Sequence, residues 1–534
     1  MIVKNFISNL KKIFISSDDR YHGAVSAVIV VNLFLAATAL FKDVFTASYL
    51  GTSSQADAFL LAYFLPDMAG NNILANALGI ACVPVFSRLL ASGNSSRLAK
   101  SVTGVILYFA VFSFLLTVFS FLARNLIIDN LGPGLDAGTR TLCAKLFVVM
   151  LPILAAYPVI ATGSAVMQVY GRFVIPAAAP VVFNLFFLGG LLYCSLLAKP
   201  LHTGVYVISV SILAGVTAML ALIWGSIRRN RIRVLVRPKM SEFLRPWQDV
   251  KDIFEIFFPY TLILMSSQLV FIVERYLASN LGVGTIAGLN YAFRLAQFPL
   301  WVFVSAVSVV VFPLMSRAAG TGRAGELKDT IGRSLRLVLI ITVPLTICLF
   351  GLRVPVVSIL LQRGSFEADS VQITAGILAG YALTVVSQGF SVICIRALLA
   401  FDRVLAALSA VLFSSGLNIV FDFYLVNVVG PAGLGYGAAA GALVNAAVLG
   451  FLLNRTLELD LNKRFGGFVK IAAANVPVLL VVWLFYKLWC FIGPDGGFAG
   501  RAGYAASVVM VGTPLYLASL RLMKIGVTDA SNNV

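Results

Sequence analysis

Charged side chains set inside long apolar stretches are the residues of this sequence with chemistry to perform. Lys42 and Asp43 lie near the end of one such stretch, and Asp57 lies just inside the next. Arg294 falls about eight residues into another, ~12 Å deep at 1.5 Å per residue if the stretch is a helix. An ionisable group among apolar neighbours is costly in a bilayer, so it marks a polar cavity. Lys42 and Arg294 come from different halves of the chain, and cations contributed by both halves suit an anionic substrate such as a diphosphate. The plainer alternative is a snorkelling side chain or a local pair, Lys42 with Asp43.

A second set is acidic. Glu274 and Asp422 sit at similar depth from the outer ends of their stretches, and Asn418 precedes Asp422 by one helical turn, on the same face. Two carboxylates and an amide oxygen at matching depth suit a small hard cation such as Na⁺, or a proton. Arg275 offers the competing explanation of an ion pair, although neighbouring helix residues diverge by ~100°. Arg396, Asp402 and Arg403 cluster at an inner boundary, where a gate and a solvated loop edge are equal readings. Gly433-x-Gly435-x-Gly437 follows no strand, so it reads as small residues for close helix packing rather than a nucleotide loop. With two histidines, His22 and His202, and six cysteines without a CxxC, neither a structural metal site nor a histidine-based triad can be assembled. No nucleophile–base pair emerges, so no enzyme and no cofactor are expected.

These residues must be positioned by membrane helices. Of the 534 residues, 60% are hydrophobic and 12% charged, which leaves too little polar surface to face water all round. Apolar runs long enough to span recur, among them Gly23–Phe41, Val102–Leu122, Thr203–Trp224, Leu337–Leu352, Val404–Val426 and Ala505–Leu522. The pattern predicts about fourteen transmembrane helices. The net charge of +18 is concentrated in alternate loops, most densely from Arg228 to Lys251, as the positive-inside rule expects of cytoplasmic loops. That placement predicts cytoplasmic termini and excludes nucleic acid as the partner; contact with membrane lipids is expected instead.

The chain also repeats. Leu50-Gly51, Pro66 and Pro84-Val85-Phe86-Ser87-Arg88 reappear as Leu281-Gly282, Pro299 and Pro313-Leu314-Met315-Ser316-Arg317, at offsets of about 230 residues. Both P-x-x-S-R motifs lie at an inner boundary, so the halves share one orientation: a parallel repeat, with the substrate expected between the halves. The expected organisation is an amphipathic segment (1–22), an N-terminal six-helix bundle (23–224), a basic cytoplasmic linker (225–249), a C-terminal six-helix bundle (250–454) and two appended helices (455–534).

The motifs resemble those of the MurJ/MviN lipid II flippases, within the multidrug/oligosaccharidyl-lipid/polysaccharide exporter superfamily. Carrying the resemblance are Leu289-Asn290-Tyr291-Ala292-x-Arg294-Leu295 with Phe298-Pro299, Gln362-Arg363-Gly364-Ser365-Phe366, and Arg396 through Arg403. In the first half Ala56-Asp57-Ala58-Phe59, Leu65-Pro66, Val83-Pro84, Gly171-Arg172-Phe173 and Asn184 match. The resemblance implies that Arg294 engages a substrate diphosphate, that Lys42-Asp43 stands in for an Arg-Asp pair, that Glu274, Asn418 and Asp422 form a sodium site, and that the appended helices form a groove for an isoprenoid chain. One departure is specific. Where the family's second span carries an arginine and Ala-Glu-Gly, this chain reads Gly70-Asn71-Asn72 and then Ala75-Asn76-Ala77.

The function expected from this reading is outward flipping of an undecaprenyl-diphosphate-linked saccharide, lipid II foremost, across the bacterial inner membrane by a monomer, driven by Na⁺, H⁺ or the membrane potential. The alternatives are a flippase for another polyprenyl-linked glycan, a small-molecule/cation antiporter of the same superfamily, and a non-transporting scaffold.

Overall fold

A computed structural model describes residues 19–232, 234, 248–320, 324–401, 403–457, 461–492, 497–523 and 525. Every regular element among them is helical, which suits an apolar chain in lipid because intrahelical bonds satisfy the backbone without water. Among the described residues 13 helices are long and apolar enough to cross a membrane. The contiguous run Thr285–Gly320 is not among the 13, but it holds the place in the repeat that Ser54–Ala91 holds in the first half, in keeping with about fourteen expected spans.

The chain divides into two compact units, Met1–Gln268 and Leu269–Val534. The first contains α1 (Asp19–Leu50), α2 (Ser54–Pro66), a π-helical segment π1 (Asp67–Ala75), α3 (Asn76–Ala91), α4 (Ser95–Leu122), α5 (Arg124–Leu131), α6 (Ala137–Met150), α7 (Ile153–Val169), α8 (Val174–Leu196) and α9 (Leu201–Arg229). The chain passes from one unit to the next within α10 (Gln248–Ser279). The second unit continues with α11 (Thr285–Pro299), π2 (Leu300–Val304), α12 (Ser305–Gly320), α13 (Ala324–Gly351), α14 (Arg353–Leu361), α15 (Ala368–Ala400), α16 (Val404–Val429), α17 (Ala432–Leu457), α18 (Leu461–Ala474), α19 (Val476–Ile492) and α20 (Gly497–Leu522).

The repeat seen in the motifs is a repeat of elements. α4 and α13 are both 28 residues long, and each is followed by a short helix of 8 or 9 residues. The α6–α7 hairpinless run and α15 each cover 33 residues. Gly51 and Gly282, the second members of the repeated Leu-Gly pairs, both adopt positive φ (57° and 107°), which lets the chain turn sharply without a Cβ clash. In each unit a helix ending in proline, Pro66 or Pro299, passes directly into a π-helical segment. Proline withholds its own N–H and crowds the carbonyl one turn back, so the ladder there reforms at wider spacing.

Packing follows membrane rules. Lipid tails give helices no hydrophobic reason to associate, so small residues and close van der Waals contact must hold them. A Cβ on Gly380 would stand 2.0 Å from the Gly435 backbone, so α15 and α17 touch main chain to main chain. Gly433 likewise meets Leu425 of α16. The Gly433-Gly435-Gly437 series is therefore a packing seam. Outward, large apolar side chains such as Phe114, Leu122 and Leu405 are 63%, 73% and 79% exposed, a surface suited to hydrocarbon.

Two boundaries differ from those read in the sequence. α1 continues to Leu50, so Lys42 and Asp43 lie in its interior rather than near its end. α9 continues to Arg229, carrying Arg228 and Arg229 in its last turn, where cations favour the helix C-terminus, so the first residues of the expected basic linker are helical. Of the expected amphipathic segment, residues 1–18 lie outside the described residues. The appended helices pack on their own unit: Ile471, Val478, Tyr504 and Val508 join Leu339, Ile340 and Leu352, and the Tyr516 hydroxyl donates to the Ile340 carbonyl at 2.7 Å.

Candidate functional site

In the first unit, Lys42 is 5% exposed, and its Nζ lies 3.3 Å from Asp43 Oδ1 and 5.2 Å from the Phe187 ring centre. The helix α8 supplies that ring, and Asn184, one turn earlier, donates to Thr38 Oγ1 of α1 at 3.3 Å. The local pairing that the sequence offered as the plainer alternative is thus present, with a cation–π contact added. Asp57 is buried at the start of α2. Ser53 caps that helix by accepting from Ala56 N, and a carboxylate in the first turn sits where the helix dipole favours negative charge.

A polar group in the first unit that the sequence reading did not assign to a site follows at π1. Tyr63 Oη and Asn71 Nδ2 donate to Asp67 Oδ1 at 3.2 and 3.3 Å, and Asn72 Nδ2 donates to Asp67 Oδ2 at 3.4 Å. The buried Tyr157 of α7 makes hydrogen-bonding contact with Asp67 and Tyr63. Gly70 makes room for it, since a Cβ there would fall 2.7 Å from the Tyr157 ring. The sequence signal was present in the asparagine pair, but helical spacing does not place Asn71 and Asn72 on one carboxylate. The wider π-helical turn does.

In the second unit, Arg294 is half-buried on α11, and its Nε donates to Asn290 Oδ1 at 3.1 Å. One turn further, Gln297 donates to Gln388 Oε1 of α15 at 2.9 Å. Asn290, Arg294 and Gln297 are half-buried and spaced to share one helix face, so they form a polar stripe along it.

The acidic set gathers in the same unit. Glu274 is 2% exposed on α10 and Asp422 is fully buried on α16. They lie close enough to feel each other's charge. Tyr381 of α15 donates to Glu274 Oε1 at 2.8 Å. The sequence reading missed Tyr381, because nothing distinguishes a tyrosine in an apolar run before the helices are packed. The Asn418 amide lies 3.1 Å from Asp422 Oδ2 and 3.2 Å from the Gly437 carbonyl oxygen. With its NH₂ turned to them it donates to both; with its oxygen turned to them three oxygens converge, the donor set a hard cation takes. Two buried carboxylates in mutual range need such a cation or a proton to offset their repulsion, so these residues fit Na⁺ or H⁺. The fit depends on glycine: a Cβ on Gly437 would fall 2.0 Å from Asp422 Oδ1, and one on Gly441 2.5 Å from Asn418 Cβ. Arg275 sends Nη1 one turn back to the Phe271 carbonyl at 3.0 Å while remaining in electrostatic range of Glu274.

Arg396 donates from Nε to Ser308 Oγ at 3.1 Å and stacks 5.1 Å from the Phe312 ring centre. Arg403 is exposed at the start of α16, and Asp402 lies outside the described residues.

The fold and these groups can be set beside known proteins. The family model described as "Lipid II flippase MurJ" matches residues 46–491. A Rhizobium tropici protein named "Probable lipid II flippase MurJ" is 29% identical over 349 residues, covering 64% of this chain and 64% of its own. The chain thus spans just under two thirds of that relative's length. A Vibrio cholerae protein of the same name is 25% identical over 531 residues, covering 95% of this chain and 96% of its own. The solved structure described as "Lipid II flippase MurJ, inward closed conformation" superposes with a TM-score of 0.78 at 21% identity, covering 93% of this chain and 98% of its own.

Proposed function

This chain belongs to the lipid II flippase MurJ family, and from that premise we propose that it carries lipid II, an undecaprenyl-diphosphate-linked saccharide, from the inner to the outer leaflet of a bacterial cytoplasmic membrane for peptidoglycan synthesis. The observation that carries the reading is the family match, which runs through both units and into the appended helices. A flippase makes and breaks no bonds in its cargo, so the side chains needed are those that bind, neutralise and release.

Arg294 is the side chain we assign to the diphosphate. Its guanidinium has a fork geometry that matches phosphate oxygens, and Asn290 holds Nε so that the terminal nitrogens are aimed as a unit. Lys42, with its charge shared between Asp43 and Phe187, is assigned a supporting role for the same anion in its own unit. Glu274, Asn418 and Asp422 would hold the coupling cation, Na⁺ or H⁺, with Tyr381 orienting Glu274. Transport proceeds by alternating access, with the chain acting as a monomer and both termini on the cytoplasmic side, the side on which the basic segment from Arg228 to Lys251 falls. The appended helices are assigned to the isoprenoid chain.

The reading is tested by rescue. A bacterium depleted of its resident lipid II flippase should regain growth when this chain is expressed and inserted. Inserted protein that fails to restore growth would move the assignment to another polyprenyl-linked glycan.

A further inference from the structure

The first unit carries a polar group that the diphosphate and the coupling cation leave unused. Asp67, Asn71 and Asn72 are half-buried side chains at the π-helical segment that follows Pro66. Polar side chains in the interior of an apolar membrane helix are functional sites by default, and π-helical segments concentrate at such sites.

The chemistry of the group narrows its ligand. A carboxylate at Asp67 repels phosphate. It is also a poor cation ligand, because Tyr63, Asn71 and Asn72 already direct O–H and N–H donors at its two oxygens. Those bonds fix the two amides. Each asparagine side chain has two N–H donors and one carbonyl oxygen, and one N–H of each is committed to Asp67. What the pair can present is therefore a matched set of neutral donors and acceptors, held in place by a carboxylate. Hydroxyl and acetamido groups, which both donate and accept, complement that set.

We propose that Asn71 and Asn72, braced by Asp67, bind the saccharide of the lipid-linked cargo and contribute to its selection. The proposal rests on the reading above that the cargo is a lipid-linked saccharide, and it assigns recognition of sugar and of diphosphate to different side chains. Asp67 is a positioning residue here; the asparagines make the contact.

The test compares two ligands on the purified full chain: lipid II, and undecaprenyl diphosphate, which lacks the sugar. Wild type should bind lipid II more tightly than undecaprenyl diphosphate. Asn71→Ala/Asn72→Ala should lose about tenfold in lipid II affinity, the size of two neutral hydrogen bonds, and keep its affinity for undecaprenyl diphosphate. Asn71→Ser/Asn72→Ser, which retains polarity and small size, should show the same split if the alanine variant does not insert. An equal fall for both ligands, or no fall for either, overturns the proposal. Wild type that binds the two ligands equally overturns it while leaving the flippase reading in place. Wild type that binds neither overturns both.

Discussion

Tyr381 donates its hydroxyl to Glu274 Oε1 across 2.8 Å, joining two helices at residues 107 positions apart in the chain. The bond fixes one oxygen of a buried carboxylate beside Asp422, so the geometry of the acidic set depends on a residue that carries no charge itself. Tyr381→Phe should destabilise the purified protein by about 1–3 kcal/mol, the cost of leaving a buried polar group short of a partner. Thermal melting in detergent reads this. A melting temperature equal to that of the wild type would show that Glu274 is held by other means.

If Glu274, Asn418 and Asp422 hold Na⁺, then NaCl should raise the melting temperature of the wild type more than an equal concentration of choline chloride, since binding to the folded state stabilises it by mass action. Asp422→Asn should abolish the difference. A wild type indifferent to Na⁺ would leave the proton as the coupling ion, and a Na⁺ effect that survives in Asp422→Asn would place the site elsewhere.

Gly437→Ala should be severe and Gly416→Ala mild, although both glycines lie in apolar helices of the same unit. A Cβ at residue 437 would meet Asp422 Oδ1 at 2.0 Å, whereas nothing lies within 4 Å of one at residue 416. Overpacking of this kind costs about 1–3 kcal/mol or more, and here it also displaces a carboxylate. Comparing folded yield and rescue for the two variants checks the contrast.

Arg88 Nη2 and Asp252 Oδ2 form an ion pair at 3.0 Å, with the arginine side chain 67% exposed. Pairs so open to water contribute about 0–1 kcal/mol. Arg88→Ala should therefore leave the melting temperature nearly unchanged. A large drop would assign Arg88 a role beyond that pair.

Much of this architecture is legible in the sequence, and for identifiable reasons. Apolar runs reveal helices because lipid allows little else, and the Leu-Gly, proline and P-x-x-S-R landmarks reveal the repeat because turns and helix breaks need particular residues. The place of Arg294 inside a helix and the shared face of Asn418 and Asp422 follow from helical spacing alone. Tyr381 and Gln388 do not, since each acquires its partner only when helices distant in sequence pack together. The gathering of Asn71 and Asn72 around Asp67 is hidden for a different reason: regular helical spacing misplaces it, and a proline marks a break in a helix without specifying that the turn widens. The interior position of Lys42 is missed because α1 runs past the charged pair to Leu50, where Lys42 is buried beside a half-buried Asp43.

In the proposed function lipid II crosses the membrane through the agency of Arg294. The most direct measurement is the amount of lipid II accessible to a membrane-impermeant enzyme at the outer face of spheroplasts whose resident flippase has been depleted. With the wild-type chain inserted, outer-leaflet lipid II should return; with Arg294→Ala inserted to the same level it should stay near the depleted value, and Arg294→Lys should fall between, since lysine keeps the charge without the fork. Equal restoration by wild type and Arg294→Ala would remove Arg294 from transport, and none by an inserted wild type would remove lipid II as the cargo.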